Sequence, residues 1–201
     1  MIAIIDYNAG NLRSVEKAFA AIGERTEITR DFRVIEAAER VVLPGVGAFG
    51  DAMGQLRKYG LDGVIRETAA SGRPFLGICL GLQMLFSGSE ECPDVEGLGI
   101  LKGSVVRIPA ADGLKIPHIG WNSLKLRENS RLFAGIEDGS HVYFVHSYYL
   151  KAEDADIVSA STEYGVTIHA AVEQGNVSAC QFHPEKSGAV GLAILKNFAA
   201  M

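Results

Sequence analysis

Cys79 stands in the stretch Pro74-Phe75-Leu76-Gly77-Ile78-Cys79-Leu80-Gly81-Leu82-Gln83, an apolar run that takes on a helical pattern after the cysteine. That pattern reads as a strand feeding a helix through a tight corner. A nucleophile elbow has this form, with small residues beside the reactive one because side chains there would block the bend. At the start of the helix, unpaired N–H groups favour a thiolate over a thiol and can hold an oxyanion. A cysteine alone is as readily a small core residue. A nucleophilic thiol also needs a base, and the base an orienting acid. His183-Pro184-Glu185 offers both. In an extended segment the i, i+2 spacing projects the two side chains to one side, and Pro184 opposes helix formation between them. Cys79 is therefore read as nucleophile, His183 as base and Glu185 as its orienting acid. The other histidines, His118, His141, His146 and His169, have no acid at a comparable spacing, and their spacings fit no compact metal-ligand motif.

The elements that must position these groups alternate. Ile2 to Tyr7 reads as a buried strand, followed by the turn Asn8-Ala9-Gly10-Asn11, with Asn11 as cap of a helix striped by Leu12, Val15, Phe19 and Ile22. Thr26 to Arg30 reads as a strand, Val34 to Glu39 as a short helix, and Val41-Val42-Leu43 as a strand running into Pro44-Gly45-Val46-Gly47. Helices over Ala52 to Tyr59 and Leu61 to Ser71 lead to the strand before Cys79. Such alternation implies a parallel, doubly wound sheet, in which ligands sit at the carboxyl ends of strands. The Gly45 loop and Cys79 both lie there, so backbone N–H groups of Gly45, Val46 and Leu80 are the expected oxyanion donors. That loop lacks the lysine and full glycine pattern of a nucleotide-phosphate cradle. From Gly103 onward come short strands, over Ser104–Ile108, Ser123–Leu126, Val142–Leu150, Ile157–Ser161, Val166–Glu173 and Asn176–Phe182. A hairpin turn is expected at Gln174-Gly175-Asn176, and a closing helix over Gly188–Ala200. No repeat or linker divides the chain, so residues 1–201 are expected to form one domain.

With 201 residues and 48% hydrophobic content the chain can bury a substantial core. A net charge of −5 with scattered Lys and Arg lacks the footprint of a nucleic-acid binder. Three cysteines, Cys79, Cys92 and Cys180, make no disulfide framework. No apolar run reaches membrane length and Met1–Asp6 carries no basic leader, so a soluble cytoplasmic protein is expected.

GICLGLQ with a downstream HPE resembles the class I (triad-type) glutamine amidotransferase family. More narrowly, Asp6-Tyr7 with Gly10-Asn11-Leu12, PGVGAF from Pro44, PHIGWN from Pro117, FVHSYY from Phe144 and FHPEKS from Phe182 resemble the family of glutaminase subunits that serve a histidine-biosynthetic cyclase. The resemblance runs essentially end to end, with Asn8 standing where glycine is more usual. It implies a flavodoxin-like amidotransferase fold with extra antiparallel strands, and a Cys79, His183, Glu185 triad that hydrolyses glutamine through a thioester with no redox or organic cofactor and no metal. It further implies glutamine binding by Gln83 and the His146-Ser147-Tyr148 backbone. Asn11, Trp121, Tyr143 and Lys186 match positions that face a separate (β/α)8-barrel cyclase in a heterodimer, to which ammonia passes. A pyridoxal phosphate synthase glutaminase has a similar triad, but PHIGWN argues against it. A regulatory module with Cys79 as redox sensor would need neither His183 nor Glu185.

Overall fold

A computed structural model describes residues 1–8 and 10–201. The sequence-read turn at Asn8-Ala9-Gly10-Asn11 includes Ala9, which lies outside the described residues. Along the chain run β1 (Ile2–Ile5), α1 (Leu12–Ala21), β2 (Thr26–Thr29), α2 (Phe32–Ala37), β3 (Arg40–Gly45), α3 (Phe49–Lys58), α4 (Leu61–Ala70), β4 (Phe75–Cys79) and α5 (Leu80–Met84). The second half adds β5 (Gly103–Arg107), β6 (His118–Ser123), β7 (Lys125–Leu126), β8 (His141–His146), β9 (Tyr148–Ala152), β10 (Val158–Glu163), β11 (Thr167–Gln174), β12 (Val177–Cys180) and α6 (Gly188–Ala199).

A strand covered on both faces reads as an unbroken apolar run, and β1 and β4 are buried at every residue. Because successive side chains alternate between faces, Ile2, Ile4, Val42, Leu76 and Ile78 pack with Phe19 of α1 and Phe198 of α6. Ala3, Ile5, Val41, Leu43 and Phe75 meet Ile35, Met53, Ile65 and Leu82 from α2 to α5 on the other face. Each large apolar side chain so buried contributes roughly 1.5–3 kcal/mol. Among the described residues the main sheet has eight strands in the order β2-β1-β3-β4-β12-β11-β10-β7. The first five are mutually parallel and the last three join antiparallel. With β12 taken as the fifth parallel strand, this is the flavodoxin-like order with an antiparallel extension. The β11–β12 hairpin turns at Gly175, whose φ of 59° suits glycine.

Two strands differ from their sequence reading. Val142–Leu150 is not continuous: β8 pairs with β6, and β9, beyond Ser147, pairs with β5. The burial alternation through Val142, Phe144 and His146 slips at Ser147, because Tyr149 and Leu150 are both buried. Ser123–Leu126 likewise divides between β6, which begins at His118, and the short β7. Gly120 and Asn122 are poor strand formers and hide β6 from a propensity reading.

Candidate active site

At the junction of β4 and α5, Cys79 has φ 54° and ψ −108°. A non-glycine residue in so sparse a region costs about 1–3 kcal/mol and persists only where neighbours over-determine it. Those neighbours are identifiable. Gly45 lies opposite Cys79 across β3–β4, and Cys180 opposite Ile78 across β12–β4. A Cβ added at Gly81 would stand 1.9 Å from the Leu43 carbonyl oxygen, and one at Gly77 would stand 3.0 Å from the Gly81 carbonyl. Close backbone approach thus requires glycine at Gly81 and leaves little room for a side chain at Gly77. Because α5 spans only five residues, little macrodipole accrues, and the sequence-based appeal to a helix start reduces to the donors nearest the sulfur.

His183 leaves β12 with its backbone N–H donating to the Tyr143 carbonyl at 2.9 Å. Its Nδ1 lies 2.7 Å from Glu185 Oε1, and both side chains are almost wholly buried. The segment is not extended, as Pro184 had implied. Pro184–Lys186 forms a 3-10 turn with Pro184 at its first position, where a missing N–H costs nothing. Ser187 Oγ closes this turn by donating to the His183 carbonyl at 2.6 Å and accepting from Tyr143 N–H. Among the described residues His183 Nε2 and Glu185 Oε2 find no hydrogen-bond partner. Burial opposes the His183 imidazolium, but the Cys79 sulfur and the Glu185 carboxylate outweigh it and lift the group to about 9.

Asn11 departs from its expected part as helix cap. Its side chain makes no capping bond, and Nδ2 donates to Glu185 Oε1 at 2.5 Å. Asn8, with φ 67°, fills a left-handed position that asparagine tolerates and glycine prefers. Its amide bonds Tyr59 and Arg30, and Arg30 also pairs with Asp6.

A cavity of about 440 Å³ opens beside the sulfur, lined by Cys79, His183, Gln83, Val46, Leu80 and the His146–Tyr148 segment. Gly45 does not line it. That glycine is buried at the end of β3, where an added Cβ would stand 2.6 Å from Tyr7 Oη, itself donating to the Pro44 carbonyl at 2.9 Å. Rotational freedom instead belongs to Gly47, which lines the cavity with φ 97° and open space around it. Gln83 Nε2 donates to the Tyr148 carbonyl at 3.1 Å and to Gln181 Oε1 at 3.0 Å, so Oε1 is what its amide offers to the cavity. His146 Nδ1 bonds the same Tyr148 carbonyl, and its Nε2 meets His118 Nδ1 at 3.0 Å. A carbonyl can only accept, so Nδ1 of His146 carries the proton and Nε2 accepts from His118. Burial lowers His146 to about 3 and His118 to about 4, keeping both neutral supports of the segment rather than bases.

Three contributors escaped the sequence reading. Glu91 lines the cavity and accepts from Phe49 N–H at 2.8 Å. Gln181 reaches the elbow itself, with Nε2 3.6 Å from Cys79 Sγ, and Tyr7 stands against Gly45, the residue opposite Cys79. Gln181 was visible two residues before His183. Glu91 sits in a loop without periodicity and carried no signal.

Trp121, Tyr143 and Lys186 come together at one face. Trp121 and Tyr143 are register partners with rings 6.2 Å apart, and Lys186 Nζ lies 5.9 Å from the Tyr143 ring. Ile119 and Trp121 are 59% and 56% exposed, too much apolar surface to be ordinary core. Asn11 does not join them through its side chain, which is turned onto Glu185.

The family model for glutamine amidotransferase class-I matches residues 3–201. The chain belongs to the class-I glutamine amidotransferase family. Among relatives of this amidotransferase, the imidazole glycerol phosphate synthase subunit HisH of Syntrophotalea carbinolica is 52% identical over 206 residues, covering 100% of both chains. The HisH subunit of Methanothermobacter thermautotrophicus is 53% identical over 198 residues, covering 98% of this chain and 97% of its own. Among solved structures, one titled a glutamine amidotransferase superposes with a TM-score of 0.76 at 22% identity, covering 99% of this chain and 100% of its own. PurLQS from Thermotoga maritima gives 0.77 at 22% identity, covering 99% and 97%. At that identity these two show the amidotransferase fold alone.

Proposed function

We propose that the whole chain, residues 1–201, acts as one glutamine amidotransferase domain. It hydrolyses glutamine to glutamate and ammonia and supplies the ammonia to a cyclase subunit making imidazole glycerol phosphate. The observation that carries this reading is the buried His183–Glu185 pair at 2.7 Å, with His183 and Cys79 lining one cavity large enough to admit glutamine. Near-full-length identity to HisH subunits supports the pathway.

Glutamine enters with its side-chain amide toward Cys79. The Gln83 Oε1 atom and the Glu91 carboxylate suit its α-ammonium, and N–H groups around Ser147 and Tyr148 suit its carboxylate. Cys79 thiolate attacks the amide carbon, a C–S bond forms, and the carbonyl π pair moves to oxygen. N–H groups of Leu80 and the Val46–Gly47 loop hold that oxyanion. On collapse the C–N bond breaks, His183 gives its Nε2 proton to the departing nitrogen, and ammonia leaves. Water, deprotonated by the now neutral His183, then attacks the thioester. The thiolate departs with glutamate as product. Glu185 keeps the imidazole oriented and its cation favoured, without itself moving a proton.

The exposed Ile119 and Trp121 beside half-buried Tyr143, with Lys186 reaching both that face and the cavity, support a docking site there for a (β/α)8-barrel cyclase in a heterodimer. Three free cysteines suit a reducing cytoplasm. Among the described residues no helix is long and apolar enough to cross a membrane. The test is Cys79→Ala in the complex with the cyclase. Glutamine-dependent synthesis is lost, while synthesis from ammonium salts continues. Glutamine-dependent turnover near the unsubstituted rate would remove Cys79 from the nucleophile role.

A further inference from the structure

We infer that Gln181 is a further catalytic residue, whose side-chain amide donates to the Cys79 sulfur and holds it as a thiolate aimed into the cavity. The inference rests on Cys79 as the nucleophile, a reading that Cys79→Ala tests separately. Gln181 is the first residue beyond β12, wholly buried, and its backbone N–H is anchored on the Ala170 carbonyl at 2.8 Å. Its Nε2 lies 3.6 Å from Cys79 Sγ, and its Oε1 accepts from Gln83 Nε2 at 3.0 Å.

Amide nitrogen and oxygen look alike, so the direction of these bonds has to be derived from the network. The chain ends on the Tyr148 carbonyl, which can only accept. Gln83 must therefore present Nε2 to it, and the same nitrogen meets Gln181. Gln181 must answer with oxygen, because two facing NH2 groups would leave buried donors opposed. Its own NH2 is then turned to the sulfur. A thiol sulfur is a weak acceptor and a thiolate a strong one, so a donor fixed in this place favours the ionised form. With only five residues in α5, this side chain supplies what a longer helix would have given. The same chain of contacts links the Tyr148 carbonyl and Gln83 at the substrate wall to the reacting atom.

The experiment compares Gln181→Met, of similar shape but without a donor, with Gln181→Glu, which keeps an acceptor for Gln83 and sets a carboxylate beside the sulfur. Full-length chain bound to its cyclase is treated with iodoacetamide from pH 6 to pH 10, and Cys79 alkylation is followed by peptide mass spectrometry. A charge-assisted bond of this kind corresponds to about tenfold or more. Gln181→Met should therefore alkylate about tenfold more slowly at pH 7 yet match the unsubstituted protein at pH 10. Gln181→Glu should be slower still at pH 7. If Gln181→Met does not fold, Gln181→Glu is read alone. Unchanged rates at pH 7, or an equal loss at pH 7 and pH 10, would overturn the assignment, the second reducing Gln181 to packing.

Discussion

Glu185→Gln separates the charge of the acid from its shape. Lifting His183 from 6.5 to about 9 corresponds to about 3 kcal/mol of preference for the imidazolium, against burial and shared between the Cys79 sulfur and Glu185. The substitution keeps an oxygen for His183 Nδ1 and Asn11 Nδ2 but removes the negative charge. Because the imidazolium exists below about 9 and is lost above it, the ammonia-releasing step has an alkaline limit near that value. Without the Glu185 charge the limit moves toward neutral pH, by about one pH unit for each 1.4 kcal/mol lost. There is a folding cost as well. Glu185 Oε2 is buried without a partner among the described residues. Replacing it with an NH2 group strands donors there at about 1–3 kcal/mol. The assay is kcat/KM for glutamine from pH 6.5 to 10 in the cyclase complex, beside thermal unfolding. The expected result is an alkaline limb at least one pH unit lower and a measurably lower Tm. A limb that stays near pH 9 in a folded variant would show that Glu185 does not hold the His183 proton, and the orienting-acid argument would fall.

His183→Asn should approach Cys79→Ala in loss of glutamine turnover and exceed Glu185→Gln, since base and proton donor vanish together; the order of the three rates checks it. Asn11→Gly, which tolerates the φ of 73° at that position, isolates the bond to Glu185 and should lower kcat/KM about tenfold, with or without cyclase. A loss confined to the complex would make Asn11 an interface residue alone. Gly81→Ala should unfold the protein or lower its Tm sharply, because its methyl would stand 1.9 Å from the Leu43 oxygen. Gly47→Ala meets open space but an unfavourable φ, so its stability cost should stay near 1–2 kcal/mol while the ratio of cyclase-stimulated to basal glutaminase activity changes.

Residue types and short-range periodicity were enough to place the parallel half of the sheet, the elbow at Cys79 and the His183–Glu185 partnership, because each is a local matter. Buried parallel strands announce themselves as apolar runs, a corner needs its glycines, and a base two residues from its acid lies within reach of it. What lay beyond the sequence depends on contacts between distant segments. Asn11 reads as a helix cap, yet the fold brings Glu185 to its side chain across 174 positions, and Nδ2 donates to that buried carboxylate while Oδ1 accepts from no helix-start N–H. Gly45 reads as a flexible loop residue, yet its place against Tyr7 and Leu80 makes it a packing position, and the freedom passes to Gly47. Val142–Leu150 reads as one strand because composition does not show that its two ends find different partners. Gln181 carries no motif of its own. Only the folded chain brings Tyr148, Gln83 and Gln181 into a line ending on the Cys79 sulfur, and there the one-way hydrogen bonding of a backbone carbonyl decides which end of each amide points where.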